Sequence, residues 1–206
     1  MAHAPVSINH LDSYHSELRS DLLRVAIRDR WDRALMALGW LHLAFFATNQ
    51  WAAMALNARW PHLILWPGEV AAVVLLLRRM LGPGWWRSTP LAGVLMRVWI
   101  TFLIIDFNAV TLNALTGIDE FRWYFLVWAG LSTFGFATTA WICGPWFLVP
   151  AVVMYVVGLA MVRWIEWSFL MHGVAWCMIL QGIGVWIFLE RRRRMAADPA
   201  ERLPEG

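Results

Sequence analysis

Two carboxyls and an imidazole lie inside long apolar runs of this sequence: Glu69 in WPGEVAAVVLLL, Asp106 in LIIDFNAV and His172 in SFLMHGVAW. An ionisable group in hydrocarbon is costly unless it is paired or neutral, so each is a candidate for chemistry. Counting about 1.5 Å per helical residue from the nearest segment end puts Glu69, Asp106 and His172 in the outer half of a membrane. Asn49, Gln50 and Asn108 come out at similar depth, whereas His42, Arg97 and Gln181 come out as an inner polar layer. Two carboxylates and an imidazole on three different helices are the materials of a proton relay, a cation site or a metal site. The amides of Asn49, Gln50 and Asn108 would supply hydrogen bonds to a small solute.

Each of these residues also has a structural reading. Glu69 follows Pro67 and Gly68, and either opens a helix at Pro67 or marks an interruption inside a longer span. A helix starting at Pro67 leaves too few apolar residues before Arg78 to cross a bilayer, which favours the interruption. Asp106 has no route to an interface. Arg97, in the same segment, is about 13 Å away along the axis and on the opposite face, and its long stem reaches toward the cytoplasmic interface instead. His172 is either a ligand or a packed, hydrogen-bonded histidine. His42 and His172, with Trp40 and Trp176 nearby, raise a haem or chlorin reading. Their depths differ by about 13 Å, which leaves separate single-ligand sites rather than one shared haem. Cys143 and Cys177 show no CxxC spacing, and there is no P-loop, HExxH or GxSxG. The enzyme reading is therefore the weakest, and the cofactor is unknown.

The elements that must carry these residues are membrane helices. The chain of 206 residues is 60% apolar and 15% charged, and its apolar residues come in runs rather than stripes. Six segments follow: 34–56, 62–77, 91–115, 121–142, 146–162 and 165–189. Every basic residue is an arginine, a weak sign of a GC-rich bacterial genome. Arg59, Arg122 and Arg163 fall on one side and Arg97 inside a segment. The others all fall on the opposite side, so both termini are expected in the cytoplasm. Many of the 16 tryptophans sit near segment ends, as an interfacial belt requires. The third segment carries polar groups on two opposed faces, Asp106 with Asn113 and Arg97 with Asn108, which predicts that it sits at the centre of the bundle. In the fourth, Ala129, Thr133 and Ala137 form a small-residue packing face.

The expected organisation is all-α. A disordered stretch (1–10) precedes an amphipathic, Arg-rich helix at the cytoplasmic surface (11–33), which runs on into the first span. A six-helix transmembrane domain (34–190) and a basic stop with a disordered tail (191–206) follow. No cleavable leader pattern precedes the first span, which is expected to act as the uncleaved targeting signal. The predicted place is the bacterial inner membrane. The partners are the lipid bilayer, anionic lipid or a protein docked on the Arg-rich helix, and a homo-oligomer or larger complex, with no nucleic acid. The leading functional expectation is a proton- or cation-linked small-solute transporter or channel. The alternative is an accessory, scaffold or sensor subunit, with a membrane enzyme or pigment carrier third.

Overall fold

The computed structural model describes residues 8–56, 60–116 and 122–197, with side chains over 16–56, 61–112 and 125–197. All described elements are helical: α1 (Ile8–Arg28), α2 (Trp31–Leu56), α3 (Trp60–Leu81), α4 (Pro90–Thr116), α5 (Arg122–Cys143), α6 (Leu148–Arg163) and α7 (Ser168–Ala197). Single 3-10 turns at Trp85–Arg87, Pro145–Phe147 and Ile165–Trp167 lead into α4, α6 and α7. The six apolar segments correspond to α2 to α7. Four windows are long and apolar enough to cross a membrane: Pro90–Leu112, Phe125–Cys143, Pro145–Arg163 and Ile165–Ala197. The chain is a helical membrane protein on that ground. α2 and α3 are diluted by His42, Asn49 and Gln50 and by Pro67, Gly68 and Glu69.

Three details depart from expectation. The N-terminal helix starts at Ile8 and does not run on into α2. It stops at Arg28, and Arg30 takes a left-handed φ of 60° before α2 begins at Trp31. Arg28 Nε donates to Asp29 Oδ1 at 2.7 Å across that break. Most of the proposed 1–10 stretch and the 198–206 tail lie outside the described residues. Second, α3 is continuous through Pro67, so the interruption is not present. The proline removes one backbone hydrogen bond, and its ring crowds the carbonyl four residues before it, without ending the helix.

Third, α4 is peripheral rather than central. Only 11% of its apolar window is buried, against 44% for those of α5 and α7. The most extensive pairing is α2 with α7, followed by α5 with α6. Polar groups on two faces of α4 suggested an all-round burial, but backbone proximity was decided by small residues instead. A Cβ on Gly173 would come 2.5 Å from Phe46 Cβ, and one on Gly184 would come 2.9 Å from the Asp32 carbonyl. Likewise, a Cβ on Gly158 would come 2.7 Å from that of Ala129, so the small-residue face of α5 receives α6. The antiparallel α2–α7 seam ends in a buried ion pair, Arg191 to Asp32 Oδ2 at 3.1 Å. Two aromatic-rich cores, one around Phe46, Trp66, Trp128 and Phe169 and one around Phe136, Met154 and Ile179, fill the space between the two pairs.

Candidate functional site

The site grows from polar and aromatic residues repeating at three- and four-residue spacing on helices that face each other. α2 presents His42, Phe46 and Asn49 on one stripe, α3 His62, Trp66 and Glu69, α5 Phe125, Trp128 and Ser132, and α7 Phe169, His172 and Trp176. Such spacing returns to the same face of a helix, so each stripe is buried as a unit. Phe46, His62, Trp66, Phe125, Trp128, Ser132, Phe169 and His172 are all buried.

His42 and Glu69 meet directly. His42 Nδ1 faces Glu69 Oε1 in a contact joining α2 to α3, and Glu69 is 8% exposed. This corrects the two-layer expectation, which put Glu69 in the outer half and His42 in the inner layer. α2 begins at Trp31 and α3 runs to Leu81, so both residues fall near mid-helix once the true ends are counted. The His42 and His172 rings are 6.4 Å apart between centroids, against the 13 Å or so implied by counting along the axis. The register of α2 against α7 accounts for the difference, since Gly173, next to His172, packs against Phe46, one turn from His42. Phe46 packs on both imidazoles, at 4.5 Å from His42 and 5.1 Å from His172. Trp176 lies 5.3 Å from His42 and Trp128 5.9 Å from His172. These rings fill the ground that a macrocycle bridging the two histidines would need, and His42 Nδ1 already faces Glu69.

Asp106 completes the group from α4. Its carboxyl lies within electrostatic range of Glu69, with Trp128 as its polar neighbour. Beyond the His42–Glu69 contact, His42 Nε2, His172 Nδ1 and Asp106 Oδ1 are buried with no hydrogen-bond partner. Buried polar atoms are normally satisfied, so three orphans within one cluster mark a place where a proton, water or ligand belongs. An imidazole held by a carboxylate at Nδ1 and open at Nε2 can take a proton on one edge and release it on the other.

The remaining candidates are not part of the titratable group. Gln50 donates to the Glu166 carbonyl at 2.6 Å and accepts from the Leu170 amide at 3.3 Å, tying α2 to the start of α7. Gln181 donates to the Met36 carbonyl at 2.9 Å, and Asn49 donates to the Phe45 carbonyl at 3.0 Å while meeting His62 Nδ1 at 2.6 Å. These amides are spent on holding helices. Arg97 and Asn108 are exposed on α4, away from the cluster.

Sequence reasoning did not single out His62, Trp128 or the Asp32–Arg191 pair. His62 stands seven residues before Glu69, two helical turns along the same face, which was the available signal. Among the described residues no group of three or more His, Cys, Asp or Glu side chains is arranged to hold a metal ion. Comparison with protein-family models, curated proteins and solved structures finds no match to this chain.

Proposed function

We propose that the chain is a multi-pass protein of the bacterial inner membrane in which α2 to α7 all cross the bilayer, both termini are cytoplasmic, and His42, Glu69, Asp106 and His172 bind and relay a proton. The reading is that of a proton-linked transporter or channel for a small solute. One observation carries it: four titratable side chains from four helices converge in an aromatic-lined interior with His42 Nε2, His172 Nδ1 and Asp106 Oδ1 unpaired. Gln50 and Gln181, which tie helices together, are paired, and the unpaired atoms of the Asp32–Arg191 bridge lie near the start of α2, outside this interior. The arginine asymmetry supports the orientation. α1 supports it too, since it packs on α4 and α7 and Arg19 Nε donates to the Ile142 carbonyl at the end of α5 at 3.3 Å. Its other arginines, Arg24 and Arg28, are exposed and paired with Asp21 and Asp29 at 3.3 and 2.7 Å.

The test is electrometry of reconstituted proteoliposomes adsorbed on a solid-supported membrane. A pH jump is expected to displace charge in the wild type, and at least tenfold less in Glu69→Gln and in Asp106→Asn. Circular dichroism and gel filtration confirm that both variants are folded. Equal displacement in folded variants would remove proton binding from the cluster. The accessory-subunit alternative predicts that outcome together with a loss of stability in both.

A further inference from the structure

α4 has a second face with no work inside the chain. Asp106 points inward, and about 180° around the helix Arg97, Thr101, Ile104, Asn108 and Thr111 are all exposed. Thr101 and Thr111 return their hydroxyl hydrogens to the carbonyls of Arg97 and Phe107, at 2.9 and 2.8 Å, so they are satisfied as they stand. The side chains of Arg97 and Asn108 have no hydrogen bond or ion pair among the described residues. Arg97 is seven residues from the start of α4 at Pro90, and its stem reaches headgroup depth. Asn108 lies within the apolar window Pro90–Leu112 and is too short to snorkel, so its amide is left facing hydrocarbon at a real cost.

A face meant for lipid looks different, and α6 shows one. There the exposed residues include Val149, Val152, Tyr155, Val156, Leu159 and Val162, with no amide or charged side chain among them. The α4 face needs protein. A primary amide carries both a donor and an acceptor, so it is complementary to a second copy of itself across a two-fold axis. We propose that the chain forms a homodimer through this face of α4, about an axis normal to the membrane, with the two Asn108 amides paired across it and Thr101, Ile104 and Thr111 packed alongside. The Arg97 pair then sits about 16 Å toward the other end of α4, where crossing helices separate and each guanidinium meets a lipid phosphate. α4 would thereby place the proton cluster of one copy a single helix away from the other.

The experiment is oxidative cross-linking in native membranes. The full chain carries Cys143→Ser and Cys177→Ser, with a new cysteine from either Ile104→Cys or, on the inward face, Phe102→Cys. The expected result is a covalent dimer of this chain with Ile104→Cys and little with Phe102→Cys. Adding Asn108→Leu should cut the Ile104→Cys cross-link severalfold while leaving thermal stability of the single chain unchanged, because the Asn108 side chain is exposed and makes no hydrogen bond among the described residues. No Ile104→Cys dimer, a cross-link to a different protein, or a dimer indifferent to Asn108→Leu would each overturn the proposal.

Discussion

His172 is 3% exposed, packed between Phe46, Trp128 and Trp176, and its Nδ1 has no partner. A purely structural histidine in that setting would be replaced by evolution or by experiment at no loss, because an apolar ring of similar shape avoids the cost of an unsatisfied buried atom. His172→Phe is therefore expected to leave thermal stability equal to wild type or up to about 2 kcal/mol higher, measured by thermal unfolding in detergent, while reducing the pH-jump signal at least tenfold. A clear fall in stability would instead mean that His172 makes a structural hydrogen bond. The residue types were legible in the sequence: Glu69, Asp106 and His172 stand out in apolar runs, and all three belong to the observed cluster. His42 was assigned to a different layer because depth was counted from apolar segment ends, and helices do not end where apolarity ends. The amides of Asn49 and Gln50 were grouped with the site because depth says nothing of azimuth. The structure spends them on Phe45, His62, Glu166 and Leu170.

At the scale of elements, helix positions were readable to within a few residues from apolar length alone, since a long unbroken apolar run has few alternatives to a helix. Packing order was not readable. It depends on which helices let their backbones approach, and that is written in single glycines rather than in hydropathy. α2 and α7 close on each other at Gly173 and Gly184, which predicts a sharp contrast between neighbouring substitutions. Gly184→Ala puts a methyl 2.9 Å from the Asp32 carbonyl and is expected to cost about 1 to 3 kcal/mol in reversible unfolding. Gly182→Ala meets nothing within 4 Å and is expected to be neutral or to gain up to about 1 kcal/mol from helix propensity. Equal effects at the two positions would mean that the α2–α7 seam is looser than the structure has it. The peripheral place of α4 follows from the same logic, since its Gly93 has only a distant contact, 3.9 Å to the Trp86 carbonyl.

For the whole molecule, the arginine distribution and the packing of α1 point to one arrangement in the membrane. In the proposed orientation the ends of α3, α5 and α7 share the cytoplasmic side with the beginnings of α2, α4 and α6. In a Cys143→Ser, Cys177→Ser background, Pro83→Cys before α4 should react with a membrane-impermeant maleimide only after cells are opened. Glu166→Cys before α7 should react in intact cells. Labelling with the sides reversed would invert the protein, and labelling of both from one side would remove α4 or another helix from the set of spans. Under the proposed orientation the His42–Glu69 pair lies near the bilayer midplane, reached from neither side without crossing about 15 Å of helix. A proton bound there is one in transit or one that sets the state of the protein.

Proton binding at the cluster is most directly read by pH-difference infrared spectroscopy of the purified protein, which sees carboxyl groups gain and lose their protons individually. On acidification the wild type should gain a protonated-carboxyl band characteristic of a buried site, and that band should be diminished in Asp106→Asn and altered in frequency or pH midpoint in Glu69→Gln. Difference spectra in which neither substitution changes any carboxyl band would contradict a proton-binding cluster at His42, Glu69, Asp106 and His172.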